Sequence, residues 1–201
     1  VMFMHDILLD FWFGPLTEPE VFNRDRYDLW FRNGRAYDAA LRERFGDLWR
    51  RAEAGDLDDW AEKPQGRLAL ILLLDQVPRH IHRGTAAAFA QDRRAQALTL
   101  AGITQGHDRE LWPIQRLFFY LPLEHAEDLA VQDQSVAAFS QLRDEAPMAL
   151  REDCEGFLDY ACRHREVIAH FGRFPDLNVI LSRDSTPEEL VFLREPGSLF
   201  L

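Results

Sequence analysis

The sequence contains little cysteine. Cys154 and Cys162 are the only two in 201 residues, and on one helix they would lie about 12 Å apart. Because a disulfide requires Cα atoms within about 7 Å of each other, we expect two free thiols. Free thiols are typical of proteins in a reducing compartment, so the sequence predicts a cytoplasmic protein.

Positive charge is also scarce. The chain has 23 Lys and Arg residues against 34 Asp and Glu residues, which gives a formal net charge of −11. A surface this acidic repels the phosphates of nucleic acids and the headgroups of anionic lipids. We therefore expect neither nucleic acid nor a membrane surface as a partner.

Long apolar runs are missing. The longest, Leu68–Leu74, is too short to span a bilayer. Residues 1–9 carry His5 and Asp6 and lack a basic region, unlike a signal peptide. Hydrophobic residues still make up 47% of the chain, which is enough for a sizeable core. Because no Gly/Ser-rich linker divides the sequence, we expect one domain over residues 1–201.

The common metal and nucleotide motifs are absent as well. The sequence has no HExxH, paired CxxC, Walker A loop, GxGxxG or GxSxG. Glu124, His125 and Glu127 do not reproduce the Glu-x-x-His spacing of helical di-iron sites. The sequence thus predicts no metal and no cofactor, and it leaves open whether the protein is an enzyme and whether it forms oligomers.

Helical periodicity dominates what is present, and the predicted fold class is all-α. Leu68–Leu74 is rich in Leu and poor in β-branched residues, which favours a buried central helix. We expect that helix to end before Pro78, because proline disfavours helical geometry at the preceding residue. Thr186, Pro187 and Glu189 form a capping-box start for the last helix. The other predicted helices cover residues 5–12, 20–31, 35–54, 86–104, 114–121, 124–144 and 148–171, with a break at Pro122.

Two basic loops stand out against the acidic background. Arginines in ordered loops can hold a carboxylate or a phosphate through two hydrogen bonds, so the loops indicate an anion site where they meet. Alternatively, these side chains cap helix C-termini and pair with nearby acidic residues. The loops are residues 77–84, with Arg79, His80, His82 and Arg83, and residues 172–183, with Arg173, Asn178 and Arg183.

Asp75 is predicted to be structural. It falls in the last turn of the buried helix, where the helix dipole disfavours an anion. A buried carboxylate needs a partner, and Arg79 and Arg83 are within reach along the chain. The pattern favours an ordered network of Asp75 with one of these arginines or with a backbone donor.

Two histidines have different predicted roles. His125 stands at the start of the predicted helix 124–144, where the dipole favours a neutral imidazole that can exchange a proton with a ligand. Glu127 and Asp128, beside it, are explained by the preference of a first helical turn for acidic residues, and are also acid/base candidates. His164 lies on an apolar helix face, where a histidine with satisfied polar atoms is the usual occupant.

Four stretches together resemble a known family. They are Ile7-Leu8-Leu9-Asp10-Phe11-Trp12-Phe13-Gly14, residues 68–84 around Leu-Asp-Gln-Val-Pro-Arg, residues 118–128 around Tyr-Leu-Pro-Leu-Glu-His, and residues 164–183 around Phe-Gly-Arg-Phe-Pro. In this order, they resemble the bacterial family of uncharacterised proteins known as domain of unknown function 924. The resemblance implies an all-α superhelix like that of tetratricopeptide-repeat (TPR) proteins, and no established activity.

The polar signature implied by this resemblance overlaps with the residues already singled out. The sequence departs from it at His80, where the family usually has Asn, and at Asp176 and Leu177, where it usually has His-Arg. Losing the His-Arg pair removes positive charge, so the resemblance implies weaker or altered anion binding here. The signature falls on Asp75, Gln76, Arg79, Arg83, His125, Glu127, Asp128, Gln132, His164, Arg173, Asn178 and Arg183.

Three hypotheses follow. The first is a pocket for a small anionic metabolite, with His125, Glu127 and Asp128 as acid/base candidates. The second is a non-catalytic helical scaffold that binds a peptide or protein. The third is that the polar clusters are structural networks alone. In the first hypothesis, the ligand-binding residues are Gln76, Arg79, Arg83, His164, Arg173, Asn178 and Arg183.

Overall fold

The computed structural model describes residues 3–20 and 22–200. All regular elements in these two ranges are helical, which confirms the predicted all-α class. Val21, inside the predicted helix 20–31, lies outside the described residues. The α-helices are α1 (Met4–Phe13), α2 (Asp38–Glu53), α3 (Pro64–Ile81), α4 (Asp92–Thr104), α5 (Pro113–Glu124), α6 (Leu129–Glu145), α7 (Arg151–Phe171) and α8 (Pro187–Phe192).

Helix α3 occupies the centre of the fold. Every residue of Leu68–Leu74 is fully buried, because α1, α2, α4 and α5 all pack around this helix. Burying one leucine side chain contributes about 1.5–3 kcal/mol relative to leaving it exposed. The prediction of a buried central helix is therefore confirmed, and α3 provides a fixed base for the polar residues at its C-terminal end.

The two helices with an interior proline continue further than predicted. α3 passes through Pro78 to Ile81, and α5 passes through Pro122 to Glu124. A proline in a helix removes one backbone donor and crowds the preceding turn. Here Val77, Leu123 and both prolines are buried, so packing outweighs the local preference. The predicted ends before Pro78 and Pro122 were wrong for this reason.

Several other predicted boundaries shift. The segment 20–31 contains a 3-10 turn at Arg24–Arg26 and a π turn at Asp28–Arg32. The side chain of Asn23 accepts a hydrogen bond from the Asp25 N–H at 3.1 Å, a local bond that competes with an α-helix. The predicted helices 35–54, 86–104 and 148–171 each begin with a 3-10 turn, at Gly34–Tyr37, Ala86–Ala88 and Met148–Leu150.

The start of α6 matters most for the site. Its N-cap is Asp128, whose side chain accepts a hydrogen bond from the Val131 N–H at 3.1 Å. The predicted helix 124–144 thus begins at Leu129, and Glu124 is the last residue of α5 instead. The predicted start of α8 is confirmed, since Thr186 and Glu189 cap each other's backbone N–H at 2.9 and 3.1 Å.

Candidate functional site

A cluster of polar side chains forms where the C-terminal ends of α3 and α5 meet the start of α4. The fully buried carboxylate of Asp75 lies 2.7 Å from Nδ1 of His125. Its other oxygen accepts a hydrogen bond from Gln76 at 2.8 Å. Arg79 lies 3.5 Å from the same carboxylate and binds Asp92 through two hydrogen bonds of 2.8 and 2.9 Å. We call these five residues the His125 cluster.

The buried carboxylate of Asp75 is ionised. Burial alone would raise its pKa, but the charges of His125 and Arg79 and the hydrogen bonds from His125 and Gln76 lower the pKa to about 2. The predicted pairing of Asp75 is confirmed for Arg79, which also donates to the Asp75 carbonyl at 2.6 Å. Sequence reasoning missed His125 as a partner, because the two residues belong to different helices.

His125 stands at the C-terminal end of a helix, and the predicted N-terminal position was wrong. Its backbone N–H donates to the carbonyls of Leu121 and Pro122, each at 3.3 Å, as the C-cap of α5. A helix C-terminus favours a cation, so the expected effect of the dipole at this position is reversed. The side chain is 19% exposed, and no described residue forms a hydrogen bond with its Nε2.

Next to this cluster, Glu124 and His164 are both buried in the core. Nδ1 of His164 donates to the Tyr160 carbonyl at 2.8 Å and lies 3.4 Å from Oε1 of Glu124. Burial lowers the pKa of His164 to about 3, so its ring is neutral. His164 thus lies in the core with a satisfied Nδ1, as its position on an apolar helix face suggested.

The second basic loop forms its own cluster at α8. Arg173 donates to both carboxylate oxygens of Glu189 at 2.7 and 2.9 Å, and Asn178 lies 3.3 Å from the same carboxylate. Arg183 pairs with Glu127 at 2.8 Å and donates to Asn178 at 3.0 Å. We call these five residues the Glu189 cluster. Glu127 and Glu189 were not predicted as partners of these arginines, although the predicted capping box lies close to this loop in the sequence.

Arg83 lies in neither cluster. It binds Asp38, at the start of α2, through hydrogen bonds of 2.6 and 2.8 Å. His80 lies 2.8 Å from the same carboxylate. Within the described residues, no hydrogen bond or ion pair joins a side chain of loop 77–84 to one of loop 172–183. Arg79 and Arg83 are one helical turn apart but bind carboxylates of different helices.

Asp176 and Leu177, where the sequence departs from the pattern of the family it resembles, have structural roles. Oδ2 of Asp176 accepts a hydrogen bond from the backbone N–H of Phe200 at 2.8 Å. Leu177 packs with Phe174, Val167 and Ile168 in a small apolar cluster. These two residues therefore hold the C-terminal segment against α7 and contribute no positive charge.

Each arginine assigned to the anion site has a carboxylate partner. Arg79, Arg83, Arg173 and Arg183 pair with Asp92, Asp38, Glu189 and Glu127 respectively. The His125 cluster differs in having a partly exposed imidazole whose Nδ1 contacts the buried carboxylate of Asp75. In this arrangement Nε2 can donate or accept a proton.

Three further observations concern metals, membranes and surface grooves. Among residues 3–20 and 22–200, no group of three or more His, Cys, Asp or Glu side chains is arranged to hold a metal ion. None of the helices in that part of the chain is long and apolar enough to cross a membrane. Two surface grooves of about 480 and 550 Å³ lie away from His125, between α7 and α8 and beside Trp60.

Comparison with known proteins agrees with the fold. A solved structure of a protein of unknown function, ATU0120 from Agrobacterium tumefaciens, is 36% identical to this chain, with a TM-score of 0.79. The match covers 95% of this chain and 97% of that one. No curated protein matches the chain. The family model described as a bacterial protein of unknown function, DUF924, matches residues 8–197. The chain therefore belongs to the DUF924 family.

Proposed function

We propose that the protein binds a small anionic molecule at His125, and that the pair of Asp75 and His125 exchanges a proton with it. The observation that carries this proposal is the 2.7 Å contact between a fully buried carboxylate and a partly exposed imidazole. A carboxylate at Nδ1 fixes the orientation of the ring and stabilises the imidazolium. Nε2 then faces outward as a donor for an anion.

The surroundings of His125 support an anion rather than a cation. His125 is the C-cap residue of α5, a position where a positive charge is stabilised by about 0.3–1 kcal/mol, or more when partly buried. Arg79 lies 3.5 Å from the Asp75 carboxylate and is 21% exposed, so it adds a second positive charge to the cluster. Asp75 and Asp92 offset much of this charge, which supports weak binding of a small anion.

Under this proposal, Glu127 and Asp128 support the site without transferring a proton. Glu127 accepts hydrogen bonds from Arg183 and from the Phe174 N–H, each at 2.8 Å. Asp128 caps α6. The Glu189 cluster then holds the second loop in place, so Arg173, Asn178 and Arg183 affect the ligand only through the position of Glu127.

Calorimetry with sulfate, orthophosphate and citrate tests the proposal. We expect at least one anion to bind the wild type and to bind His125→Gln at least tenfold more weakly. His170→Gln is the matched control, because His170 also faces a carboxylate, Glu188 at 2.6 Å, but is 60% exposed and lies on α7. If no anion binds the wild type, or if His125→Gln binds as the wild type does, the proposal is wrong.

The alternative is a non-catalytic scaffold for a peptide, and one observation favours it. The groove of about 480 Å³ between α7 and α8 has charged residues in its lining and an apolar part that includes Phe171, Phe192 and Val191. Val191 is 59% exposed. Anisotropy with labelled amphipathic peptides, on wild type and Val191→Asp, tests this alternative. Binding that Val191→Asp abolishes and His125→Gln leaves unchanged would favour the scaffold over the anion site.

The proposal retains two broader expectations. One is a cytoplasmic location, supported by the free thiols of Cys154 and Cys162. The other is a TPR-like superhelix, supported by the packing of successive helices. Ion pairs of Arg165 with Asp133 and of Arg143 with Glu155 show that α6 and α7 run antiparallel. Fractionation of cells that express the full-length protein tests the first, and superposition on a TPR structure tests the second.

A further inference from the structure

The end of α5 contains a buried carboxyl group without a hydrogen-bond donor. Glu124 is 1% exposed, and its Oε1 has no hydrogen-bond partner among the described residues. Oε1 of Gln132 and Oγ of Ser135, both fully buried on α6, also lack partners there. Nε2 of Gln132 donates to the carbonyls of Glu124 and Ala126, each at 2.8 Å. Gln132 therefore offers its oxygen, not its amide protons, for further bonds.

The groups that face Glu124 leave its negative charge uncompensated. From α3, the ionised Asp75 repels it. From α7, Nδ1 of His164 lies 3.4 Å away, but its proton goes to the Tyr160 carbonyl. Tyr160 and Cys162 of α7 are also within electrostatic range, and both are neutral at ordinary pH. From α6, Gln132, whose amide donates to the Glu124 carbonyl, carries no charge.

A carboxyl group in this position keeps its proton. An isolated ionised carboxylate in an apolar interior is costly enough that the group neutralises instead. Burial, with the charge of Asp75, raises the pKa of Glu124 well above its usual value of 4.5. Two neighbouring carboxyl groups ionise one at a time. Here Asp75, which has the hydrogen-bond donors, ionises first, and Glu124 keeps its proton to higher pH.

We propose that Glu124 is a positioning residue of the His125 site. Glu124 and the ionised Asp75 together form a carboxyl pair that holds one proton. This proton keeps the site able to accept an anion. The inference rests on the proposed function. When Glu124 ionises at higher pH, a second negative charge appears behind Asp75 and His125. That charge opposes an incoming anion, so anion affinity decreases through this ionisation.

The first test needs no ligand and measures the stability of wild type and Glu124→Gln against pH. The folded pKa of Glu124 lies above 4.5, so the unfolded state loses this proton first as the pH rises. Wild-type stability should therefore fall, relative to the variant, from about pH 4.5 up to the folded pKa, with the unfolding constant changing by up to tenfold per pH unit. Below that range the two proteins should be equally stable.

The control for this test is Glu188→Gln, since the side chain of Glu188 is 69% exposed and its neutralisation should give no such trend. If Glu124→Gln is less stable than wild type at neutral pH, Glu124 is ionised and paired, and the inference is wrong. If Glu124→Gln does not fold, Glu124→Met removes the ionisable group with an apolar side chain of similar length. The same pH trend is expected of it, and a loss of stability at neutral pH would have the same meaning.

The second test measures sulfate affinity against pH, because the charge of sulfate is constant over this range. We expect affinity for the wild type to decrease more steeply with rising pH than affinity for Glu124→Gln, by up to an extra tenfold per pH unit. Equal slopes with measurable binding would contradict the role of Glu124 and leave the proposed function standing. No sulfate binding to either protein, after the other anions have also failed to bind the wild type, would contradict the proposed function and this role with it.

Discussion

Glu124 and Glu189 both have little solvent-exposed surface but differ in charge. They are 1% and 2% exposed, respectively. Glu189 receives hydrogen bonds from Arg173, Thr186 and Asn178, and these bonds, the Arg173 bond first, lower its pKa to about 2. Glu124 receives none among the described residues, and burial raises its pKa. The comparison shows that a carboxyl group with little exposed surface stays ionised where donors bind it, and keeps its proton where no donor offsets the cost of burial.

The same difference separates the two clusters as wholes. In the Glu189 cluster, charged donors and acceptors pair with one another around a single loop, as expected of a structural network. In the His125 cluster, Asp75 is fully paired, while His125 next to it is paired on one nitrogen only. A cluster with an unused donor or acceptor facing solvent is the better candidate for binding a ligand.

Removing Asp75 should have the largest effect. Asp75→Ala leaves the imidazole of His125 and the amide of Gln76 without their acceptor, so we expect a loss of about 3–5 kcal/mol in the free energy of unfolding. Urea unfolding measures this loss. Asp47→Ala is the control, because Asp47 is 93% exposed in its pair with Arg50 and should contribute less than about 1 kcal/mol. If Asp75→Ala is as stable as wild type, the His125 cluster is solvated and Asp75 has no structural role.

Glu189→Gln should have a smaller effect, and one that depends on pH. Because the folded pKa of Glu189 lies below its unfolded value, its charge stabilises the protein above about pH 4.5, and this contribution disappears as the pH falls towards 2. We expect Glu189→Gln to lose about 1–2 kcal/mol at neutral pH, since amide hydrogen bonds replace charged ones. Chemical unfolding at several pH values checks this trend, which is opposite in sign to that of Glu124→Gln. If Glu189→Gln is as stable as wild type at neutral pH, the charge of Glu189 does not stabilise the protein, and Glu189 does not differ from Glu124 in the way described.

Cys154 and Cys162 allow a second comparison between a more buried and a less buried ionisable group, with a smaller expected effect. Burial, with the charge of Asp153, raises the pKa of Cys154 to about 11, whereas Cys162 is less buried. The thiolate is the reactive form, so iodoacetamide should label Cys162 well before Cys154 in the folded protein. Mass spectrometry of peptides follows both sites, and unfolding in urea should abolish the difference. Equal labelling rates in the folded protein would mean that Cys154 is accessible.

Sequence reasoning predicted the elements better than their junctions. The all-α class, the buried Leu68–Leu74 helix and the capping box at Thr186 follow from composition and local spacing, and the structure confirms them. The ends at Pro78 and Pro122 failed because tertiary packing outweighs a local preference. Because α5 continues past Pro122, His125 lies at the C-terminal end of a helix, not at the predicted N-terminal end, and the expected effect of the dipole is reversed.

The candidate site was predictable in its residue types but not in its pairing. Asp75, Arg79 and His125 stood out because polar residues beside a buried helix need partners. Which partner each one takes depends on contacts between α3, α4 and α5, as with Asp92 and Arg79. Glu124 gave no local signal, since its protonation follows from the absence of donors in three dimensions. The single domain and the ligand-binding roles stay predictions.

Nuclear magnetic resonance of the His125 ring nitrogens tests the central claim most directly. With Asp75 as acceptor at Nδ1, we predict that Nδ1 carries a proton and that Nε2 is the nitrogen that an anion contacts. Addition of sulfate should shift the Nε2 resonance of His125 and leave that of His170 unchanged. A ring protonated at Nε2 alone, or a His125 resonance that does not respond to sulfate, orthophosphate or citrate, would contradict the account.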